Sequence, residues 1–586
     1  MRLEEYWGIG PKTSELLAEA LGVEAAIAAI ESADIRTLTD AGLSRGRATR
    51  ILRRVEGGPA MDRLATRDTR EVYKQLLDII GAFAVTDHAA DRIRVLTPLE
   101  STEEMRDRLA TVEDARAAWA AFDEDTRAAV VAAFEDATGY DDDRRAAVEA
   151  ALALQEAGVA DGVFEPVTEF DREALEAAAA ALAGLSGEGD RVGRGADDTL
   201  DTLRDDLGAV EDMAATPADV VEAVQTGARS PDEFRRAFVD HVTSETGVDV
   251  GRVREATAGQ ATDAHDFVTE SLRALASGLR EAVDEREQAV AADLEGAIAD
   301  AAEDIERAVS VVDDLALYVS LARFAAAYDL RPADIVAEGE TLAVAGARNL
   351  ELAAAGVDVQ PITYAVGDHD LAVASADDPP AGHRVAVLTG ANSGGKTTLL
   401  ETLCQIQLLT MMGLPVPAER AQVSPVDAVV FHRRHDSFNA GVLESTLRNV
   451  VPPLSESGRT LMLVDEFEAI TEPGSAADLL HGLVTLTVEQ DALGVFVTHL
   501  ADDLQPLPDT ARIDGIFAEG LTTDLELQVD YQPRFGTLGK STPEFIVSRL
   551  VADAEDHTER AGFQTLATAV GEAAVQRTLS DAEWTD

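Results

Sequence analysis

The sequence is poor in cysteine, lysine and aromatic residues, and it has no long hydrophobic run. Cys404 is the only cysteine among 586 residues, so no disulfide can form within the chain, and we expect it to be a small core residue. No apolar run reaches the roughly 18 residues of a membrane-spanning helix, and the first residues carry Arg2 and acids instead of a secretory signal. These absences predict a soluble, cytoplasmic protein with no membrane partner.

Basic residues are scarce, and acids dominate the composition. The chain has 109 acidic and 49 basic residues, a formal charge of −60, and only four of the bases are lysine. Acids spread over every segment, arginine in place of lysine and abundant alanine are typical of a halophilic protein. At about 1 M salt the Debye length is only about 3 Å, so this charge does not exclude DNA as a partner. The apolar content of 46% excludes a disordered acidic chain.

The most informative motif is LTGANSGGKTTLL, which follows the apolar run Val385 to Leu388. It contains the pattern GxxxxGK[ST], in which glycines let backbone N–H groups curl around phosphates at the start of a helix. Lys396 is expected to reach the β- and γ-phosphates of ATP, and the Thr397 hydroxyl to hold Mg²⁺. An ordinary glycine-rich turn is the alternative. The predicted nucleotide-binding residues are Gly390, Ala391, Asn392, Ser393, Gly394, Gly395, Lys396, Thr397 and Thr398.

Two further apolar segments end in polar residues suited to the same chemistry. The segment Leu461 to Val464 ends in Asp465 and Glu466, and a later one ends at Thr498 and His499. Ligands of α/β sheets gather where parallel strands end, so these side chains should meet the phosphate loop. We assign Asp465 to Mg²⁺, Glu466 to the attacking water and His499 to sensing the γ-phosphate. The alternative for His499 is an ordinary histidine at the end of a strand.

These motifs together resemble the MutS family of DNA-processing ATPases, over roughly Ala347 to Leu550. The likeness includes GLPVPAERAQVSPVDAVVF, Ser445-Thr446 and DEFEAIT. It implies ATP and Mg²⁺ as cofactors and a homodimer in which Ser445 and Thr446 meet ATP bound to the partner subunit. Where family members usually have glycines after the two acids, this chain has Glu468, Ala469 and Ile470. That difference affects the loop expected to reach the partner site.

The mismatch-reading members of that family begin with a small domain carrying a Phe-x-Glu wedge. Here Phe122-Asp123-Glu124 has that spelling, but its Ala-rich, helix-periodic setting favours a core-facing aromatic beside solvated acids. The layout therefore resembles the archaeal branch of the second MutS subfamily, which lacks the wedge. No terminal nuclease domain is recognisable after Leu550, and we expect no preference for mismatched DNA.

The amino-terminal residues carry a different signal, the glycine spacing of a helix-hairpin-helix. Gly8, Gly10 and Thr13 have this spacing, and it returns loosely about 34 residues later at Gly42 and Gly46. Such hairpins expose backbone N–H groups to DNA phosphates, since glycine has no Cβ to block the approach. A module that binds protein or caps the core is the alternative. The predicted DNA-binding residues are Gly8, Gly10, Arg45, Gly46, Arg47 and Arg50.

The fold class expected is multi-domain: a mainly α-helical DNA-engaging body plus an α/β P-loop ATPase domain of the ABC type. The predicted domains are a tandem helix-hairpin-helix module at 1–58, a helical core at 59–340, the ATPase domain at 341–550 and an acidic helical tail at 551–586. Turn-rich sequence near 184–261 suggests an inserted clamp within the core. Residues 261–328 predict either one lever helix of about 100 Å or two helices broken near Gly278 or Gly296.

The function predicted from these features is ATP hydrolysis coupled to DNA binding, without sequence or mismatch specificity, in DNA repair or recombination. One alternative is a structural DNA ATPase similar to SMC proteins, which needs a true coiled coil closed by a hinge. The other is a non-enzymatic DNA-binding module with an inactive pocket. The complete set of Lys396, Thr397, Asp465 and Glu466 disfavours the second alternative.

Overall fold

The computed structural model divides the chain into two compact units. One comprises residues 1–124 and 315–586, and the other comprises residues 125–314. The residues that the structure describes are 2–31, 33–137, 143–185, 192–226, 229–371, 378–390, 395–434, 440–455, 458–470, 473–521, 527–539, 547, 550–551, 554, 556 and 558–569.

Within the described residues, the first unit opens with seven helices, four of which begin at a side-chain cap. They are α1 (Pro11–Ala20), α2 (Val23–Glu31), α3 (Ile35–Asp40), α4 (Arg45–Gly57), α5 (Arg67–Gly81), α6 (Asp87–Arg94) and α7 (Thr102–Ala121). The side chains of Asp34, Thr66, Thr86 and Ser101 each accept a hydrogen bond from the backbone N–H three residues later. These bonds satisfy N–H groups that the first turn leaves without partners. Helices α1 to α4 share a small core of their own that includes Leu17, Ile30, Leu38 and Leu52.

The second unit is helical throughout its described residues. It contains α8 (Glu124–Ala137), α9 (Asp143–Glu156), α10 (Arg172–Gly184), α11 (Asp198–Ala215), α12 (Pro217–Gln225), α13 (Pro231–Thr246), α14 (Val250–Glu255) and α15 (Ala264–Asp300); the boundary at residue 314 falls within α16 (Ala302–Ala327). Pro217 and Pro231, which the sequence suggested were turn residues, instead begin helices. Proline suits that position because its missing N–H would have no partner in the first turn.

The long proline-free segment forms two helices, α15 and α16, separated at Ala301. Neither Gly278 nor Gly296 breaks the chain, because both lie inside α15, where a single glycine costs only about 1 kcal/mol. The 37 residues of α15 span about 56 Å. Its apolar stripe, including Leu272, Leu275 and Leu279, is buried in a core shared with α11, α12 and α13.

Two β-sheets form the rest of the first unit, with helices α17 (Leu350–Ala354), α18 (Lys396–Met411), α19 (Ala440–Ser455) and α20 (Pro473–Glu489). The strands are β1 (Asp334–Ile335), β2 (Thr341–Ala347), β3 (Ile362–Gly367), β4 (Val385–Gly390), β5 (Arg420–Val423), β6 (Ala428–His432), β7 (Thr460–Asp465), β8 (Leu493–Val497), β9 (Ala511–Leu521) and β10 (Leu527–Phe535). The larger sheet has the order β10-β9-β4-β8-β7-β6 and is parallel except for β10. The smaller sheet has the order β1-β5-β2-β3.

The central strands of the larger sheet are buried along their whole length. Every residue of β4, β7 and β8 is buried, as expected for a parallel sheet covered on both faces. Helix α18 is almost equally buried, and Leu400, Leu403 and Leu408 have no exposed surface. Cys404 lies on this helix and is fully buried, which confirms its assignment to the core.

Residues 64–69 cover the edge of this sheet at β6. The Thr66 and Thr69 hydroxyls donate to the carbonyl oxygens of Phe431 and Val429, over 2.6 and 3.0 Å. Leu64 also forms a parallel bridge with Val429. An edge strand paired in this way no longer offers its backbone groups to another chain. Residues 59–124 thus belong to the same compact unit as the sheets, whereas the sequence grouped them with the helical core.

Helix α7 ends at Ala121, so Phe122 lies between helices and not inside a continuous one. The backbone of Phe122 is extended, with φ −69° and ψ 141°, and α8 begins two residues later. The sequence predicted a helical setting for Phe122-Asp123-Glu124, because the alanine-rich residues on both sides have helix periodicity. Phe122 itself is half-buried, and Glu124 is exposed.

A buried ion pair on β9 is bonded to β3 of the smaller sheet, through the Tyr364 hydroxyl and the carbonyl oxygen of Ala365. Arg512 Nε lies 3.0 Å from Asp514 Oδ2, and the two side chains are 5% and 0% exposed. Asp514 Oδ2 also accepts from the Tyr364 hydroxyl at 2.9 Å, and Asp514 Oδ1 accepts from the backbone N–H of Gly536 at 3.2 Å. Burial raises the pKa of Asp514, and the charge of Arg512 opposes that rise. The carboxylate is thus held by three partners in a place without solvent.

We expect Asp514→Ala to lower the stability of the sheet unit by about 3–5 kcal/mol, because it leaves the Arg512 charge buried without its partner. Tyr364→Phe removes only one hydrogen bond to the same carboxylate and should cost about 1.5–3 kcal/mol. Arg448→Ala, which breaks an exposed pair with Glu444, should cost less than about 1 kcal/mol. Thermal unfolding measures the order of the three, and equal losses would contradict the assignment.

Candidate functional site

The carboxyl ends of β4, β7 and β8 meet at one edge of the larger sheet. Leu388 pairs with Val497, and Val497 pairs in turn with Asp465. The parallel register therefore brings Gly390, Asp465 and Thr498 to neighbouring positions, as the order of the motifs predicted. The predicted residues Ala391, Asn392, Ser393 and Gly394 lie outside the described residues.

The start of α18 places Lys396 inside this edge. Gly395 precedes the helix with φ +67°, a left-handed conformation that glycine adopts without steric cost. The Lys396 side chain is buried, and its Nζ donates to the carbonyl oxygen of Gly390 over 3.0 Å. Burial lowers the pKa of Lys396, while the charges of Glu466 and Asp465 raise it. Its cation therefore faces the loop that precedes the helix.

Thr397 and Asp465 form the pair expected to hold a divalent cation. The Thr397 hydroxyl donates to Asp465 Oδ2 over 2.6 Å. Asp465 is only 3% exposed, and within the described part of the chain its Oδ1 has no hydrogen-bond partner. Burial raises the pKa of Asp465, and the bond from Thr397 opposes this. A hydroxyl beside a buried carboxylate with an unsatisfied oxygen fits Mg²⁺, an ion that prefers oxygen ligands.

The protein alone does not surround such an ion. Among the residues that the structure describes, no group of three or more His, Cys, Asp or Glu side chains is placed to hold a metal. Mg²⁺ commonly takes one or two protein ligands and completes its shell with water and phosphate oxygens. The donor set of Thr397 and Asp465 therefore fits a magnesium–nucleotide complex better than a free metal site.

Each carboxylate oxygen of Glu466 contacts a different neighbouring side chain. Its Oε1 lies 2.8 Å from His499 Nε2, and its Oε2 accepts from Arg434 Nη1 over 2.5 Å. The hydrogen bond from His499, followed by the charges of His499 and Arg434, lowers the pKa of Glu466 against the opposing effect of burial. Glu466 also has φ +41°, a left-handed conformation that is uncommon for a residue with a side chain. Strain of this kind concentrates at functional sites.

Glu468 connects the two polar strand ends. Its Oε1 accepts from the Thr498 hydroxyl at 2.8 Å and from the His499 backbone N–H at 2.7 Å. The segment Phe467–Ile470, where the MutS-like pattern usually has glycines, forms a short 3-10 helix. Glu468 therefore fixes the position of His499 relative to Glu466, a role that its sequence position did not predict.

A cavity of about 410 Å³ opens beside the start of α18. Its walls come from three places: the first turns of α18, the segment before β3, and β10. Tyr531 lies against Gly395, where an added Cβ would be 2.8 Å from the tyrosine ring. Gln360 ties the walls together, since it donates to Asp530 and accepts from the Tyr531 N–H. The lining includes Asn349, Val357, Gln360, Ile362, Gly395, Lys396, Thr397, Thr398, Glu466 and Tyr531.

The chain after β10 packs against the end of β4. The Gly539 N–H donates to the Thr389 hydroxyl at 2.7 Å, and Thr389 donates to the carbonyl oxygen of Asp514. A Cβ at Gly539 would lie 2.9 Å from the Cα of Gly390, and a Cβ at Gly515 would lie 2.5 Å from the Gly539 nitrogen. Glycine is therefore required where these segments touch, and Gly539 contacts Gly390, the last residue of β4, from a distant part of the sequence.

Ser445 and Thr446 lie on α19 and differ in exposure. Ser445 is exposed, whereas Thr446 is 5% exposed and belongs to the interior. Only Ser445 is thus positioned to meet another molecule without rearrangement. The contact of both residues with ATP on a partner subunit stays a prediction.

The amino-terminal repeat consists of two helix–loop–helix elements of matching design. In the first loop, Gly8 has φ +80° and Ile9 is buried before α1 begins. In the second loop, Gly42 has φ +100° and Leu43 is buried before α4 begins two residues later. Neither helix has a side-chain cap bond at its N-terminus. In both copies, the first turn of the second helix therefore keeps backbone N–H groups that no side chain caps.

Three arginines of α4, Arg45, Arg47 and Arg50, are exposed but already make contacts within the protein. Arg45 pairs with Asp91 at 2.5 Å, Arg47 donates to the Thr13 hydroxyl at 2.6 Å, and Arg50 donates to the carbonyl of Gly46. Arg54 pairs with Asp62. The local charge is nevertheless unusual, since residues 1–58 hold eight of the 49 bases and only nine of the 109 acids. This region is nearly neutral in a strongly acidic protein.

The geometry defines a candidate nucleotide site at the edge of an α/β sheet. No family model matches the chain. It is 44% identical over 192 residues to the DNA-binding protein MutS2 of Pyrococcus furiosus, covering 33% of this chain and 34% of that protein. It is 31% identical over 179 residues to the endonuclease MutS2 of Thermus thermophilus, covering 30% and 24%.

A third relative lies outside the MutS2 proteins. Over 132 residues the chain is 34% identical to the mitochondrial DNA mismatch repair protein MSH1 of Arabidopsis thaliana, covering 22% of this chain and 12% of that protein. The chain thus spans about a third or less of the length of these relatives. They support a MutS2-type family for the part that matches. No helix within the described ranges is both long and apolar enough to cross a membrane.

We expect Gly539→Ala to weaken ATP binding by about tenfold or more, because its methyl group would push against Gly390 and displace the phosphate loop. The matched control is Gly482→Ala in α20, where an added Cβ meets nothing within 4 Å. Titration with a fluorescent ATP analogue compares the two variants. Equal affinities would show that the segment after β10 does not position the loop.

Proposed function

We propose that this protein is an ATP-hydrolysing DNA-binding protein of the MutS type, acting as a homodimer in DNA repair or recombination. The observation that carries the proposal is the meeting of Lys396, the Thr397–Asp465 pair and Glu466 at one sheet edge beside a cavity. The similarity to MutS2 proteins supports it. The domain is proposed to be a P-loop ATPase domain of the ABC type.

ATP would lie with its phosphates over the start of α18 and its nucleoside in the adjoining cavity. Lys396, buried and aimed at Gly390, would neutralise phosphate charge, and the helix start adds further N–H donors. Mg²⁺, held by Thr397 and Asp465, would supply charge stabilisation to the phosphates. Tyr531 and Gln360 would bound the nucleoside, because both line the cavity.

Glu466 would act as the general base that takes a proton from the attacking water. The hydrogen bond from His499 lowers its pKa, so the carboxylate is ionised near neutral pH, which is the form that a general base requires. His499 holds one carboxylate oxygen at 2.8 Å, and Glu468 holds the backbone of His499, so the base has a fixed orientation. In this arrangement His499 would also face the γ-phosphate, the sensing role proposed for it.

An inactive nucleotide pocket is disfavoured by the same contacts. A pocket without catalysis has no need for a buried, partly unsatisfied carboxylate, which costs free energy in the absence of a cation. The structural ATPase similar to SMC proteins needs a coiled coil that projects from its own domain. Helix α15 instead buries its stripe against α11, α12 and α13 within one unit. The MutS-type function is therefore favoured over both alternatives.

DNA would contact the two amino-terminal loops through backbone N–H groups and the exposed arginines of α4. Both loops present a positive-φ glycine, and the region around them carries little net charge. Such contacts hold phosphates and carry no base information, so the proposed binding is independent of sequence and mismatch. In a halophilic cytoplasm, which the composition suggests, short-range contacts of this kind survive the screening by salt.

Two substitutions separate ATP binding from hydrolysis. Lys396→Ala should abolish turnover and weaken ATP binding, because no other described lysine faces the loop. Glu466→Gln should retain ATP but slow hydrolysis by at least about 100-fold, since it removes the base and leaves the cradle intact. Phosphate release and filter binding measure the two effects. Hydrolysis at the parental rate by Glu466→Gln would refute the base assignment.

The DNA interface is tested by Arg45→Gln, Arg47→Gln and Arg50→Gln combined, which remove the charges but keep long polar side chains. We expect weaker binding to every duplex, and a salt slope flatter by about one unit for each DNA phosphate that the variant no longer neutralises. The matched control replaces Arg194, Arg273 and Arg280, exposed arginines of the other unit, with Gln. If the control flattens the slope instead, DNA binds the helical unit.

A duplex with a G·T mismatch belongs in the same titration. The parental protein should bind it within about tenfold of its matched counterpart, because phosphate contacts do not depend on pairing. A stronger preference would contradict the proposal of mismatch-independent binding.

A further inference from the structure

The proposed base, Glu466, is not free to act in this structure. Arg434 Nη1 holds Oε2 at 2.5 Å, while His499 Nε2 holds Oε1 at 2.8 Å. A carboxylate whose two oxygens are both engaged, one of them by a full positive charge, is a poor acceptor for a proton from water. The ion pair with Arg434 must therefore be exchanged for another before the base can act.

Arg434 is placed so that it can make such an exchange. It lies two residues beyond β6, next to the strand that carries Asp465, and its side chain is 52% exposed, against 11% for Glu466. The preceding Arg433 cannot take this role, because it pairs with Glu401 at 2.8 Å.

We propose that Arg434 is a γ-phosphate contact that leaves Glu466 when ATP binds, so that arrival of the γ-phosphate both fixes the nucleotide and frees the base. This inference rests on the proposed ATPase function and names the group that couples its substrate to its catalyst. A guanidinium binds phosphate oxygens through a planar fork of N–H groups, and phosphate carries more negative charge than the single carboxylate it replaces.

The charges at the site favour the exchange only for ATP. Three carboxylates lie at this site, those of Asp465, Glu466 and Glu468. Among the described residues, the Lys and Arg side chains that interact with them are Lys396 and Arg434. ADP lacks the γ-phosphate, so with ADP bound Arg434 keeps its bond to Glu466 and the base stays engaged. The same residue would thus distinguish ATP from ADP and prevent the base from acting on an empty site.

The test compares Arg434→Ala, Arg434→Lys and the parental full-length protein in nucleotide binding and turnover. Arg434→Ala should weaken ATP binding by about 10- to 100-fold and change ADP binding by less than about twofold. Turnover at saturating ATP should fall by at least about 100-fold, the loss seen when one donor to a developing charge is removed. Arg434→Lys keeps the charge but loses the planar fork of N–H groups. Its ATP affinity and turnover should therefore lie between those of Arg434→Ala and those of the parental protein.

The control variant is Arg448→Ala, which breaks an exposed arginine–glutamate pair of the same kind on α19. It should leave both nucleotide affinities and turnover unchanged. A second arm repeats Arg434→Ala in the Glu466→Gln background. If Arg434 touches the phosphate, ATP binding weakens there by a similar factor; if it acts only through Glu466, the effect disappears and the inference is overturned.

Other outcomes also decide against the inference. Faster turnover in Arg434→Ala would make the arginine an inhibitor of Glu466 and nothing more. Equal loss of ATP and ADP affinity would make it a structural support of the loop. If the parental protein neither binds nor hydrolyses ATP, the proposed function itself fails. That result is distinct from parental activity that Arg434→Ala leaves unaltered, which overturns this inference alone.

Discussion

The burial of α18 is the constraint on which the rest of the sheet unit depends. Its side chains are enclosed by the strands of the larger sheet, by β2 and by α5, so the helix has one possible position and depth. Lys396 and Thr397, at its first turn, are therefore delivered to the sheet edge by packing along the whole helix. A close-packed interior does not deform continuously, and this fixes the hydroxyl of Thr397 within 2.6 Å of Asp465.

Several groups at that edge lack the partners that a bound ligand would supply. The unsatisfied oxygen of Asp465, the strained backbone of Glu466 and the enclosed cation of Lys396 each cost free energy in a protein without ligand. Bonds elsewhere offset these costs: Gly539 holds Thr389 near the end of β4, and Asp514 anchors the neighbouring strand β9. Apart from the proposed exchange of Arg434, a site assembled in this way binds its ligand with little reorganisation, because most of the ordering is already complete.

Much of the site could be predicted because its parts obey local rules. A phosphate loop needs its glycines, lysine and threonine in a fixed order. The carboxyl ends of parallel strands lie at the same edge of a sheet. The contact of Thr397 with Asp465 was therefore foreseeable. The bonds of Arg434 to Glu466 and of Glu468 to Thr498 were not foreseeable, because each joins residues about 30 positions apart through the packing of three strands. The contact of residues 64–69 with the sheet was not foreseeable for a related reason, since the hydroxyls of Thr66 and Thr69 bond to β6 more than 350 residues away.

The sequence by itself determined the buried helix after residue 395 and the repeat of glycine loops, because residue type and spacing limit the local backbone. It also determined that proline-free residues near α15 are helical, although not that α15 and α16 would part at Ala301. Only the tertiary structure decided which arginines are engaged and which oxygen of Asp465 stays unsatisfied. The physical reason is that an ion pair or a hydrogen bond depends on three-dimensional distance, and strand order and helix packing set that distance.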